Sequence, residues 1–154
     1  MVKYIATIES HQPQGAVFDY LSDFSSARDW DPNIESAARI DSGPIREGSQ
    51  FKLVSNFLGR HVELVYEITQ IEAPTMFVVR ADGGGFYSED TILVEAQAGG
   101  CTVQYQAVLG FRGFGRLFSP LWQIIFNRIG GKAKTGLNDH LNRTPLPALP
   151  QSEA

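Results

Sequence analysis

From Ile34 to Arg112 apolar and polar residues alternate with a period of two. Such a chain puts successive side chains on opposite faces of extended backbone, so each stretch reads as a half-buried strand. Turn-forming residues divide it into Ile34–Ile40, Ser49–Leu58, Arg60–Ile71, Thr75–Ala81, Phe86–Ala96 and Thr102–Phe111. The dividers are Gly43-Pro44, Glu47-Gly48, Leu58-Gly59, Ala73-Pro74, Gly83-Gly84-Gly85 and Gly99-Gly100. Connections this short join neighbouring strands as hairpins, so the segment predicts an antiparallel meander. The third segment sets the phase most clearly: Val62, Leu64, Tyr66 and Ile68 share one face, and Glu63, Glu67 and Thr69 the other.

The flanks have different periods. Val2 to Glu9, rich in β-branched and aromatic residues, predicts a first strand. It has no hairpin partner in sequence, so it must pair with a later strand and curl the sheet toward a half-barrel. Pro13 suits the first turn of a helix, and Ala16, Val17, Tyr20 and Leu21 share that helix's apolar face. Asp23 can cap a second short helix through Phe24, Ala27 and Trp30, which Asp31-Pro32-Asn33 ends. After a glycine-rich loop from Gly110 to Gly115, helical spacing returns at Leu117, Leu121, Ile124, Ile125, Ile129, Ala133, Leu137 and Leu141. Ser119-Pro120 suits its start, and Gly130-Gly131 within it predicts a kink or a close backbone approach. A strand, two short helices, six strands and a long helix form an α+β layout.

The 154 residues suit a single domain over 1–143, with a frayed, proline-rich tail over 144–154. Thirteen Lys plus Arg against seventeen Asp plus Glu leave a net charge of −4, unlike the basic footprint of a nucleic-acid binder. Cys101 is the single cysteine, and Met1 to Ser10 lacks the basic flank and apolar run of a signal peptide. No stretch reaches the apolar length of a spanning helix. A cytoplasmic protein is expected.

Several local patterns carry a resemblance. Pro13-Gln14-Gly15-Ala16-Val17-Phe18-Asp19-Tyr20-Leu21-Ser22-Asp23-Phe24 leads into Arg28-Asp29-Trp30-Asp31-Pro32, a helix ending in Leu-x-Asp followed by a Trp-Asp-Pro corner. Ile40 to Pro44 and Gly48 to Phe51 form a strand entry, Gly99 to Val103 a hairpin, and Gly136 to Leu141 the last turns of a closing helix. With the element order, these patterns resemble the START-like (SRPBCC) superfamily, in its polyketide cyclase/dehydrase and lipid-transfer branch. The resemblance runs from about Val2 to Arg143. It implies a helix-grip (START-like, Bet v 1-like) fold, with a curved antiparallel sheet of about seven strands gripping a long C-terminal helix. It also implies an apolar pocket between them; the superfamily includes hormone-binding proteins, lipid carriers and aromatase/cyclases.

Alternation assigns the residues that would face such a pocket. They are Phe51, Leu53 and Phe57; Leu64 and Tyr66; Phe77 and Val79; Phe86, Ser88 and Asp90; and Tyr105 and Leu109. Leu121, Ile125 and Ile129 of the last helix would lie opposite, with Trp30 where the short helices meet the mouth. The same pattern also describes a solid core. Asp90 is the sharpest polar candidate, since an inward carboxylate is desolvated and becomes a usable acid or base. One bulge near Gly83–Gly85 would turn Glu89 inward instead. Tyr66 and Tyr105 complete the catalytic candidates, as hydroxyls able to donate to a ligand.

His11, His61 and His140 have no metal-ligand spacing, so no metal is expected, and no motif implies a cofactor. The aromatic stretch Phe111, Phe114, Leu117, Phe118, Trp122 and Phe126, with Arg112, Arg116 and Arg128, fits three roles. It could make transient membrane contact, form a homodimer or partner surface, or pack on the sheet edge. The leading expectation is binding or transport of a hydrophobic small molecule: a lipid, a polyketide-like or an aromatic compound. The alternatives are a polyketide cyclase/dehydratase using the same cavity, and a protein-interaction or stress protein using the aromatic loop.

Overall fold

The computed structural model describes residues 2–57, 59–112 and 119–143, with side chains of the last helix described over residues 123–142. The expected tail, Leu121, Trp122 and most of the aromatic loop lie outside the described residues and side chains.

Seven strands, β1 (Val2–Ser10), β2 (Ile34–Arg39), β3 (Gln50–Phe57), β4 (Arg60–Glu72), β5 (Met76–Asp82), β6 (Phe86–Gln97) and β7 (Gly100–Phe111), form one antiparallel sheet. Its order is β1-β7-β6-β5-β4-β3-β2. The meander therefore runs uninterrupted from β2 to β7, and β1 pairs with β7 from Val2↔Leu109 to Ser10↔Cys101. Two short helices, α1 (Gln14–Ser22) and α2 (Ala27–Trp30), fill the connection from β1 to β2, separated by a single 3-10 turn at Phe24–Ser26. Asp23 caps that turn, its carboxylate accepting the Ser25 N–H at 3.2 Å. The long helix α3 (Ser119–Arg143) closes the concave side.

The outer face carries paired charges. Arg80 and Glu89 are direct cross-strand partners, 3.5 Å apart, and Lys52 reaches Glu63 at 3.3 Å. Exposed pairs of this kind add little stability, but they fix which side of each strand faces water. The expected phase of β4 holds through Ile68. There a bulge leaves Thr69 without a cross-strand partner, and inward packing resumes at Ile71.

The helix α3 is drawn tightly onto its neighbours. Gln123 pairs with the β1 edge through both amide atoms, donating to the Lys3 carbonyl (2.8 Å) and accepting the Lys3 N–H (3.2 Å). A Cβ at Gly130 would enter the Tyr4 ring, and one at Gly136 would strike the Trp30 carbonyl oxygen. Both glycines stand where backbone approaches too closely for a side chain, which offsets their roughly 1 kcal/mol helical penalty. Ala133, Leu137 and Leu141 bury the helix's inner stripe, while Ile124, expected on that face, is 57% exposed. No described helix is long and apolar enough to cross a membrane.

Candidate functional site

Where the β3–β7 portion of the sheet curves beneath α2 and α3, the side chains do not meet, and a cavity of about 290 Å³ remains. The sheet contributes Leu53 and Phe57 from β3, Leu64 and Tyr66 from β4, Phe86, Ser88 and Asp90 from β6, and Tyr105 and Leu109 from β7. Trp30 lines it from α2 and Ile129 from α3. All eleven are residues expected at a pocket, nine from strand alternation and Trp30 and Ile129 from the helices.

Three others lie elsewhere. Phe51, Phe77 and Val79 are completely buried in solid core, because α1 and the 3-10 turn cover that part of the sheet. The Phe18 ring meets Phe77 edge-on at 5.8 Å, and Phe24 lies across Phe51 at 6.4 Å. Strand alternation distinguishes inside from outside, but not filled from empty. Ile125 is half-buried and does not line the cavity. The helix presents Phe126 and Ile129 instead, one turn apart on the same face. The position of the Leu121 side chain is not described.

The segment around α2 contributes more than Trp30. Phe24, Ala27, Asp31, Asn33 and Ile34 all border the cavity. Asp31 Oδ1 accepts from the Asn33 backbone N–H (2.9 Å) and side-chain amide (2.8 Å), and that amide also donates to the Ile129 carbonyl of α3 (3.2 Å). The Asp-Pro-Asn corner therefore tethers α3 beside the cavity. Its signal, a turn motif, shows that the chain bends but not what the bend touches.

The polar floor is built by cross-strand register. Ser88 of β6 lies opposite the small Ala81 of β5, and the Tyr66 hydroxyl reaches from β4 to donate to Ser88 Oγ at 2.9 Å. One row further along, Asp90 lies opposite Ala107. The diagonal neighbour Tyr105 donates to Asp90 Oδ2 at 3.0 Å, above the short Ala107 side chain. The register between β5, β6 and β7 is continuous, so no bulge diverts Glu89 inward. Trp30 braces the phenol of Tyr105 edge-on, ring centroids 5.9 Å apart.

Burial dominates the electrostatics. Desolvation pushes the Asp90 carboxyl up to about 7; the Tyr105 hydrogen bond pulls it back in part, while the charges of Asp31 and Glu89 raise it. The hydroxyls of Tyr66 and Tyr105 are driven well above the ordinary phenol range, first by burial and then by the Asp90 charge. Burial likewise raises Asp31, against the two hydrogen bonds from Asn33. Near neutral pH Asp90 is thus poised between acid and conjugate base beside an apolar space, as general acid–base chemistry requires. Phenols this resistant to ionisation act as neutral hydrogen-bond partners.

The histidines lie apart from the cavity. His61 is exposed, with Nδ1 2.6 Å from Glu35 Oε2. His140 stacks on Tyr20, and its Nε2 lies 2.9 Å from the tyrosine hydroxyl, which also donates to Asp29 Oδ2 at 2.9 Å. No cluster of three or more metal-ligating side chains occurs among the described residues.

A curved seven-stranded sheet closed by a C-terminal helix over an apolar cavity defines the START/Bet v 1 class of fold. The chain belongs to the family described as polyketide cyclase / dehydrase and lipid transport, whose model matches residues 1–140. Solved structures agree on the fold. A START superfamily protein from Mycobacterium smegmatis superposes with a TM-score of 0.75 at 11% identity, over 90% of this chain and 96% of that one. The major latex-like protein 151 of Panax ginseng gives 0.68 at 14% identity, over 93% and 97%. The di-domain ARO/CYC protein BexL from the BE-7585A biosynthetic pathway gives 0.68 at 10% identity, over 93% of this chain and 50% of that one. No curated protein matches the sequence.

Proposed function

We propose that this chain binds and carries a hydrophobic small molecule, a lipid or a polyketide-like or aromatic compound, in the cavity between sheet and α3. The observation that carries this reading is a cavity of about 290 Å³ with apolar walls and a compact polar floor of Tyr66, Ser88, Asp90 and Tyr105. Removing apolar surface from water supplies affinity at about 25 cal/mol per Å². The floor fixes orientation, since a few placed polar groups in an apolar pocket are the usual arrangement for small-ligand recognition. An unfilled apolar space of this kind costs stability, at about 24 cal/mol per Å³ in engineered cavities, so occupancy favours the folded chain. Lipid transport in the family's description agrees with the reading.

Native mass spectra of the freshly purified protein, set beside denaturing spectra, test it. A defined extra mass lost on denaturation is the expected result. A clean mass that also stays unchanged on titration with lipids and aromatic compounds contradicts carriage.

The Asp90–Tyr105 pair favours a second reading, a cyclase or dehydratase. The cavity would hold a folded substrate in a near-attack geometry while Asp90 moves a proton. Under that reading Asp90→Asn abolishes turnover of a polyketide-like substrate and leaves its binding within a few-fold, whereas a carrier has no turnover to lose.

A further inference from the structure

The cavity has a marked chemical asymmetry. Two carboxyls, Asp31 and Asp90, border it, and no Lys, Arg or His is among the described residues lining it. The hydrogen-bond inventory of the floor points the same way. Tyr105 commits its proton to Asp90, and Tyr66 commits its proton to Ser88. The Trp30 indole N–H is taken by Ser26 Oγ at 3.4 Å, and the Asn33 amide by Asp31 and Ile129. What remains for a ligand at the floor is mainly acceptor capacity: Asp90 Oδ1 and the lone pairs of both phenol oxygens, against the hydroxyl proton of Ser88, while the other neutral donors on the lining, the Ser55 hydroxyl and the Asn56 amide, belong to β3.

Asp90 is 5% exposed, and among the described residues Tyr105 is its donor, on Oδ2. No fully buried side-chain polar atom lacks a partner in the described structure, so Oδ1 faces the open cavity rather than sealed protein. Once Asp90 is ionised, an anion placed against this floor would be desolvated beside a like charge, with no cation among the described lining residues to pair with, an expensive arrangement. A donor placed there completes the carboxylate's hydrogen bonding, and a charge-assisted bond in a low-dielectric site is a strong one.

We propose that the ligand of this cavity is an apolar molecule whose buried head group is a hydrogen-bond donor, an amine or a hydroxyl, and that carboxylate and phosphate heads are disfavoured. The inference rests on the cavity being a ligand site, as read above, and adds the polarity of what enters it.

Calorimetric titration with 1-naphthylmethylamine, 2-naphthol and 2-naphthoate, which share one ring system, tests it at pH 8, above the raised Asp90 value of about 7. The amine, the naphthol or both should bind at least about tenfold more tightly than the naphthoate, the factor expected for a hydrogen bond to a charged group. Asp90→Asn, nearly equal in volume, should shrink that preference to within about threefold, since the carboxylate's share of the discrimination is gone. Naphthoate binding as tightly as the other two, or more tightly, overturns the head-group inference while leaving the cavity a ligand site. Binding by none of the three overturns both.

Discussion

Tyr105 and Asp90 face one cavity from neighbouring strands, and the phenol donates to the carboxyl across 3.0 Å. Both side chains are buried, with Asp31 the other carboxyl bordering the cavity and Glu89 turned to the outer face against Arg80. A carboxyl raised in the folded state carries a sign for stability. Between about pH 4 and pH 7 the native protein holds a proton on Asp90 that the unfolded chain has released.

Stability should therefore fall as pH rises through that window, and Asp90→Asn should remove Asp90's part of the slope. Urea unfolding of both proteins from pH 4 to pH 8 measures it. The variant should gain on the parent toward the alkaline end; parallel curves would mean that Asp90 is ionised throughout.

The glycines of α3 make a paired prediction. Gly136→Ala drives a methyl into the Trp30 carbonyl and should destabilise the fold by about 1–3 kcal/mol, the usual range for overpacking. Gly131→Ala meets no atom within 4 Å and should stabilise it, by up to about 1 kcal/mol. Opposite shifts in the thermal midpoint are the expected readout.

Tyr20 ties three elements together, since its hydroxyl on α1 reaches Asp29 of α2 and His140 of α3. Tyr20→Phe keeps the ring stack on His140 and loses the hydroxyl. The loss should cost about 1–2 kcal/mol in urea unfolding, in line with the deletion of one partly buried hydrogen-bonded group. Ligand affinity should stay unchanged, because none of Tyr20, Asp29 and His140 lines the cavity.

The periodic parts of this fold were legible because their signal is local. Six hairpin-linked strands and the β1 segment fall within a few residues of the expected bounds, since alternation and turn chemistry are both short-range. Asp90 was placed inward by the same counting. The contents of the inside were not legible. Phe77 and Leu64 alternate alike, yet Phe77 is sealed beneath Phe18 while Leu64 borders the cavity, and the difference lies in where α1 crosses the sheet. Phe126 and Asn33 reach the cavity through the rotation of α3 and the path of the Asp-Pro-Asn corner, both set by tertiary packing. The Thr69 bulge had no mark in composition.

If the space between sheet and α3 holds a hydrophobic molecule, a side chain that fills the space must weaken its binding. Ala107 has the room to test it, lying beside Asp90 on the cavity wall. Titration of 2-naphthol into the parent protein and into Ala107→Phe, with unfolding curves confirming that both fold, is the direct measurement. The parent should bind, and the filled variant should bind at least about tenfold more weakly, from lost volume and apolar contact. Equal binding by the two folded proteins would contradict it.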